Sequence, residues 1–121
     1  MQDTPKNFYK KLLGRIGENR AISHLKKSGY KVLKTNYTTR FGEADIIAEK
    51  EDVIVFIEVK TRKDDSFGAP SEAVNKIKQE KYRLVANEFL LKNKFLERNC
   101  RFDVIEIENG KINRIIDAFW C

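Results

Sequence analysis

Gly42-Glu43-Ala44-Asp45-Ile46-Ile47-Ala48-Glu49-Lys50, then Glu51-Asp52, then Val53-Ile54-Val55-Phe56-Ile57-Glu58-Val59-Lys60-Thr61-Arg62 is the stretch whose reading sets the fold. Ala44, Ile46 and Ala48 alternate along the first half, and the second half is rich in β-branched residues, so both read as strands. Glu51-Asp52 joins them as a tight turn. If these two residues form the turn, Lys50 pairs with Val53, and the same register sets Asp45 across from Glu58. Alternation places Glu43, Asp45 and Ile47 on one side of their strand, and Ile54, Phe56, Glu58 and Lys60 together on one side of the next. Directly opposed residues have Cβ atoms roughly 4.5–5.5 Å apart, where two carboxylates repel and need a compensating cation. A register shift of two would bring Glu43, not Asp45, opposite Glu58.

Working outward, residues 8 to 27 read as a helix, with Phe8, Leu12, Leu13, Ile16, Ala21, Ile22 and Leu25 as its apolar stripe. Residues 1 to 7 are expected to be a flexible lead, and Ser28-Gly29 ends the helix. Tyr30 to Tyr37 reads as a strand. Beyond the loop at Lys63 to Gly68, Pro70-Ser71-Glu72 opens a second helix that runs to about 92, striped by Val74, Ile77, Leu84, Val85, Phe89 and Leu90. Residues 101 to 108 and 112 to 119 read as strands around Asn109-Gly110, a strong hairpin signal. The predicted order is αβββαβ plus a closing strand: one α/β domain over 1–121, its mixed central sheet flanked by two helices.

A chain of 121 residues leaves no room for a second domain, and 41% hydrophobic with 35% charged residues describes a folded globule. The longest apolar run, Val53 to Ile57, is far too short to span a bilayer, and the polar N-terminus lacks a signal-peptide core, so a cytoplasmic protein with no membrane partner is expected. Cys100 and Cys121 read as free thiols. One histidine, His24, and no Cys-x-x-Cys are the wrong set for a structural zinc site, so chemistry falls to carboxylates and lysines. Residues 1 to 40 carry ten Lys/Arg against two acids, net +8, within a chain of net +6. Such a field attracts polyanions, nucleic acid above all; a solvated basic helix is the plainer alternative.

The facing carboxylates suit a hard divalent cation, because Mg²⁺ is typically held by one or two carboxylates and leaves its other positions to water and phosphate. Lys60, on the Glu58 face, could steady an attacking water or the scissile phosphate; alternatively Glu58 and Lys60 simply pair at a strand edge while Asp45 lies in solvent. Glu18 borders the apolar stripe of the first helix, and Gly14 and Gly17 let that helix approach the sheet, so Glu18 could reach the cluster. It could equally pair with Arg15 in solvent. Lys76, Lys78, Lys81 and Arg83 beside Gln79 form a face suited to a phosphate backbone, although such runs are usually solvated. Arg40, Arg62 and Lys63 flank the site at strand ends, and Tyr30, Tyr37 and Phe67 could stack on bases or belong to the core.

Taken together, Gly17-Glu18, Gly42-Glu43-Ala44-Asp45, Phe56 to Arg62, Phe67-Gly68 and Lys78-Gln79 resemble the YraN family of small bacterial proteins, over about residues 14 to 108. That family looks like a branch of the PD-(D/E)XK nucleases, whose restriction-endonuclease-like core has the αβββαβ order read above. The resemblance implies that Asp45 and Glu58, with Glu18 as the helical acid, hold Mg²⁺ or Mn²⁺. It implies that Lys60 completes a Glu-x-Lys element and that Gln79 is the polar residue of the second helix found in related Holliday-junction resolvases. Ala44 stands where the superfamily name has proline. The activity so implied is metal-dependent hydrolysis of DNA phosphodiesters, at branched structures among others, with room for a homodimer because junction-cutting relatives act on two strands. A non-catalytic nucleic-acid-binding module of the same fold is the main alternative. A mere interaction protein fits less well, given an intact Asp45, Glu58 and Lys60 set.

Overall fold

In the computed structural model, helix α1 (Pro5–Lys27) leads into strands β1 (Lys31–Thr39), β2 (Gly42–Lys50) and β3 (Val53–Arg62), and helix α2 (Lys76–Lys92) precedes β4 (Asn99–Glu108) and β5 (Lys111–Phe119). It describes residues 5–62 and 76–119 and, within them, the side chains of 12–61 and 76–118. The strands form one sheet in chain order, antiparallel at every pairing except the parallel β3–β4. Parallel neighbours need a long crossover, and α2 lies in it. This is the predicted αβββαβ order with its closing strand. Residues 5–7, expected in a flexible lead, are instead helical, with Pro5 at the position where a missing N–H does least harm. The expected start of the second helix at 70, with Val74, lies outside the described residues, as do Lys63 and Phe67.

The turn between β2 and β3 has both central residues in the left-handed region, Glu51 at φ 52° and Asp52 at φ 66°, which is the hairpin geometry that matches strand twist. Neither residue is the glycine or asparagine that this turn favours. Arg98 braces it, donating to the Asp52 carbonyl at 3.0 Å and to the Glu49 carboxylate at 2.9 Å. From that turn the β2–β3 ladder runs from Lys50 opposite Val53 to Ile46 opposite Ile57, in the register read from the sequence. There it ends, one pair short of Asp45 and Glu58. The strict alternation expected of β2 also ends there: Ala44 and Ile47 pack beneath α2, whereas Ile46 and Ala48 pack beneath α1. Residues two apart in a regular strand share a face, so the strand turns over between Ala44 and Ile46.

Two apolar layers cover the sheet. Beneath α2 an aromatic chain runs from Tyr37 to Phe89, Phe56, Phe102 and Tyr82, with ring centroids 5.3, 5.9, 5.5 and 6.0 Å apart in turn. Burying each large side chain contributes roughly 1.5–3 kcal/mol, so this run sets how α2 sits on the sheet. The α2 stripe is Tyr82, Val85, Ala86, Phe89 and Leu90; Ile77 and Leu84, expected in it, are exposed. On the other side Ala21 and Leu25 of α1 pack with Tyr30, Ile46, Ala48, Val55, Ile57, Ile105 and Ile107. The α1 stripe is shorter than predicted, because Leu12 and Ile16 are exposed. Cys100 is disulfide-bonded rather than a free thiol. The β4–β5 hairpin, pairing Phe102 with Phe119, carries β5 back alongside the first half of β4. Among the described residues no helix is long and apolar enough to cross a membrane.

The two helical glycines differ in kind. A Cβ on Gly17 would overlap Thr61 Oγ1 and stand 3.2 Å from Thr61 Cβ, whereas one on Gly14 would meet nothing within 4 Å. Close approach to the sheet therefore depends on Gly17 alone. Gly14→Ala is expected to stabilise the protein by about 0.5–1 kcal/mol through helix propensity, and Gly17→Ala to destabilise it by about 1–3 kcal/mol through overpacking against β3. Urea unfolding of the two variants checks this, and a stabilising Gly17→Ala would contradict the packing.

Candidate functional site

Where β2 leaves the ladder, the next N–H of β3 still needs an acceptor, and Asp45 provides it. Asp45 Oδ2 accepts from the Val59 N–H at 2.9 Å. The side chain thus replaces a ladder bond, and the carboxylate is anchored beside Glu58, the residue preceding Val59. One Asp45 oxygen is committed in this way and the other is left for a further partner. Glu58 itself is buried. Its Oε1 receives two ammonium groups, Lys60 at 3.4 Å and Lys78 of α2 in a direct hydrogen-bonded ion pair. Its Oε2 is buried and, among the described residues, has no hydrogen-bond partner. By contrast Asp103, also buried, has both oxygens satisfied by Arg101 at 2.9 Å, and one of them also by the Asp117 N–H.

Lys78, read from the sequence as one of a phosphate-binding face, is thus also part of this cluster. Four residues further along α2, the buried Tyr82 also lies within the field of Glu58, Asp45 and Glu43, and burial with those charges holds its hydroxyl protonated. The sequence reading missed Tyr82, although its helical spacing from Lys78 places both on one face. It also missed Glu106, a buried carboxylate laterally paired with Lys60 across β3–β4.

Glu18 is held by Asn36, whose side-chain amide donates to it at 2.7 Å, and Asn36 itself is in the left-handed region at φ 50°. Burial, with a smaller push from Glu43, raises the Glu18 carboxyl, and the Asn36 hydrogen bond opposes both. Among the described residues no group of three or more His, Cys, Asp or Glu side chains stands at metal-holding spacing. Of the three acids read from the sequence, Asp45 and Glu58 lie side by side at the start of the gap, and Glu18 acts on Asp45 through its charge. Two carboxylates suffice for Mg²⁺, which keeps waters and takes substrate oxygens, and the unpartnered Glu58 Oε2 fits such an ion. Gln79 is half-buried next to Lys78, while Lys76 and Lys81 are exposed on α2. Arg40 is exposed, its guanidinium 4.8 Å above the Phe41 ring. Arg62 ends β3, and its side chain lies outside those described.

Burial pushes the Asp45 carboxyl up from the ordinary 3.8 to about 6; the charges of Glu58, Glu18 and Glu43 push the same way, against the Val59 hydrogen bond. Between about pH 4 and pH 6 the folded, metal-free protein then keeps a proton that the unfolded chain has lost. Its stability is expected to fall as pH rises through that window. Asp45→Asn keeps an acceptor for Val59 and flattens this part of the profile. Denaturant unfolding in chelator at about pH 4.5 and about pH 6.5 compares the two proteins. Identical profiles would contradict the raised value.

The motif positions also lie inside a known family. The model of the uncharacterised protein family UPF0102 matches residues 17–107. A UPF0102 protein of Alkaliphilus oremlandii is 50% identical over 115 residues, covering 90% of this chain and 98% of the relative. One from Caldicellulosiruptor bescii is 50% identical over 119 residues, with the same two coverages, and one from Alkaliphilus metalliredigens is 44% identical over 105 residues, covering 87% and 92%. None of these names states an activity. With Glu18, Asp45, Glu58, Lys60 and Lys78 all inside the matched span, the chain belongs to the UPF0102 family, which is the YraN family its motifs resemble.

Proposed function

We propose that this protein is a Mg²⁺- or Mn²⁺-dependent endonuclease that hydrolyses DNA phosphodiester bonds, with branched duplexes as the expected substrates. The observation that carries this reading is the buried, unpartnered Oε2 of Glu58 beside an Asp45 carboxylate already crowded by negative charge. An unmatched buried acceptor disfavours the folded state unless something occupies it, and a divalent cation also relieves the repulsion between the two carboxylates. A bound metal would supply Lewis-acid stabilisation of the phosphoryl oxygens and a water of lowered pKa. Asp45 and Glu58 would hold it, with Glu18 adding negative charge from α1. Lys60 is placed to take a phosphate oxygen or orient the attacking water, because its ammonium stands 3.4 Å from Glu58 and is about one-third exposed. Exposed Lys76, Lys81 and Arg40, with Arg62 at the end of β3, would bind the nucleic-acid backbone and set position rather than sequence.

One observation favours a second reading, a nucleic-acid-binding module without turnover. Lys60 and Lys78 already neutralise one oxygen of Glu58, as they would in a site retained only for structure. Incubation with linear, flapped and four-way DNA in Mg²⁺ or Mn²⁺ separates the two. Cleavage is expected, lowered on the order of 10²–10³-fold by Lys60→Ala with DNA binding largely kept, and abolished by Asp45→Asn. DNA bound but uncut with either metal, or Lys60→Ala cutting like the parent, would favour the binding module.

A further inference from the structure

We propose that Lys78 is the exchangeable counter-ion of the metal position: it holds Glu58 in the metal-free protein and moves to a phosphate oxygen of bound nucleic acid when a divalent cation takes that carboxylate. The inference rests on the metal-site reading above and goes beyond it by assigning Lys78 two alternative partners. Lys60 and Lys78 reach the same carboxylate from different elements. Lys60 is fixed on β3, two residues from Glu58, while Lys78 comes from the start of α2 and makes the closer contact. Both meet Oε1, and Oε2 stays unpartnered, so the two ammonium groups do not satisfy the whole carboxylate.

Charge decides what a cation does to this arrangement. Asp45 and Glu58, with Glu18 and Glu43 acting on Asp45, attract a divalent ion, while the two ammonium groups on Oε1 of Glu58 repel one bound through the same carboxylate. Moving one ammonium away relieves that repulsion. Lys78 is the one able to leave, because its backbone lies on α2, outside the sheet that carries both carboxylates and Lys60. Neighbouring α2 residues Lys76 and Lys81 are exposed, so a displaced Lys78 ammonium would join a face already suited to phosphate. Metal and nucleic acid thus favour each other at this site through one side chain.

Mn²⁺ titration by calorimetry without nucleic acid tests the exchange, using the parent, Lys78→Met, Lys78→Arg and Asp45→Asn. Removing the competing ammonium is expected to tighten Mn²⁺ binding about five- to tenfold in Lys78→Met, while Lys78→Arg stays near the parent. In chelator Lys78→Met should unfold at lower temperature than the parent, and Mg²⁺ should raise its Tm by more. Lys78→Gln serves the same titration if the methionine variant does not fold. Unchanged or weaker Mn²⁺ binding in Lys78→Met, or in Lys78→Gln where that variant stands in for it, with Asp45-dependent binding in the parent, would overturn the exchange and leave the metal site standing. A parent that binds no Mn²⁺ through Asp45 would overturn both.

Discussion

The hydrogen bond from the Val59 N–H to Asp45 Oδ2 is the contact on which the rest of the site depends. It forms because the β2–β3 ladder stops at Ile46 opposite Ile57, leaving a backbone donor of the central strand β3 without its ladder partner. A buried donor without an acceptor costs about 1–3 kcal/mol, so the parting of the strands is tolerated only where a side chain closes the gap. A carboxylate closes it here, and the same residue that repairs the sheet brings a charge next to Glu58. Structure and site are therefore one device at Asp45, which makes Asp45→Asn the clean perturbation: it keeps the acceptor and removes the charge.

Around that contact each element contributes one thing. The braced turn at Glu51-Asp52 sets the register that delivers Asp45 and Glu58 to the same end of the two strands. Gly17 lets α1 lie against Thr61, which brings Glu18 within electrostatic reach of Asp45. The aromatic chain beneath α2 fixes the rotation of that helix, and with it the aim of Lys78 at Glu58 and of Tyr82 toward the carboxylates. A buried carboxylate with two lysines and one unmatched oxygen is a poor source of stability, since desolvation offsets most of the Coulomb gain.

The sequence made the Asp45–Glu58 juxtaposition legible because a two-residue turn and a period of two leave little freedom: once Glu51-Asp52 is the turn, every partner follows. It could not show that pairing ends at Ile46, which comes from the strand turning over near Asp45. The contact of Lys78 with Glu58 was hidden for a different reason. In the sequence it is one of several lysines on a helix, and only the packing of Tyr82 and Phe89 decides which of them turns inward. Gly14 and Gly17 look alike in the chain, and only the position of Thr61 distinguishes them.

The central claim is that Asp45 and Glu58 together form a divalent-cation site, and locating the ion is its most direct test. Crystals grown with Mn²⁺ and measured for anomalous scattering are expected to show a single strong peak between Asp45 and the free oxygen of Glu58, at metal–oxygen distances of about 2.1 Å. The Asp45→Asn crystal should lack it. A peak bound elsewhere in the chain, or density at this site unchanged by Asp45→Asn, would contradict the account.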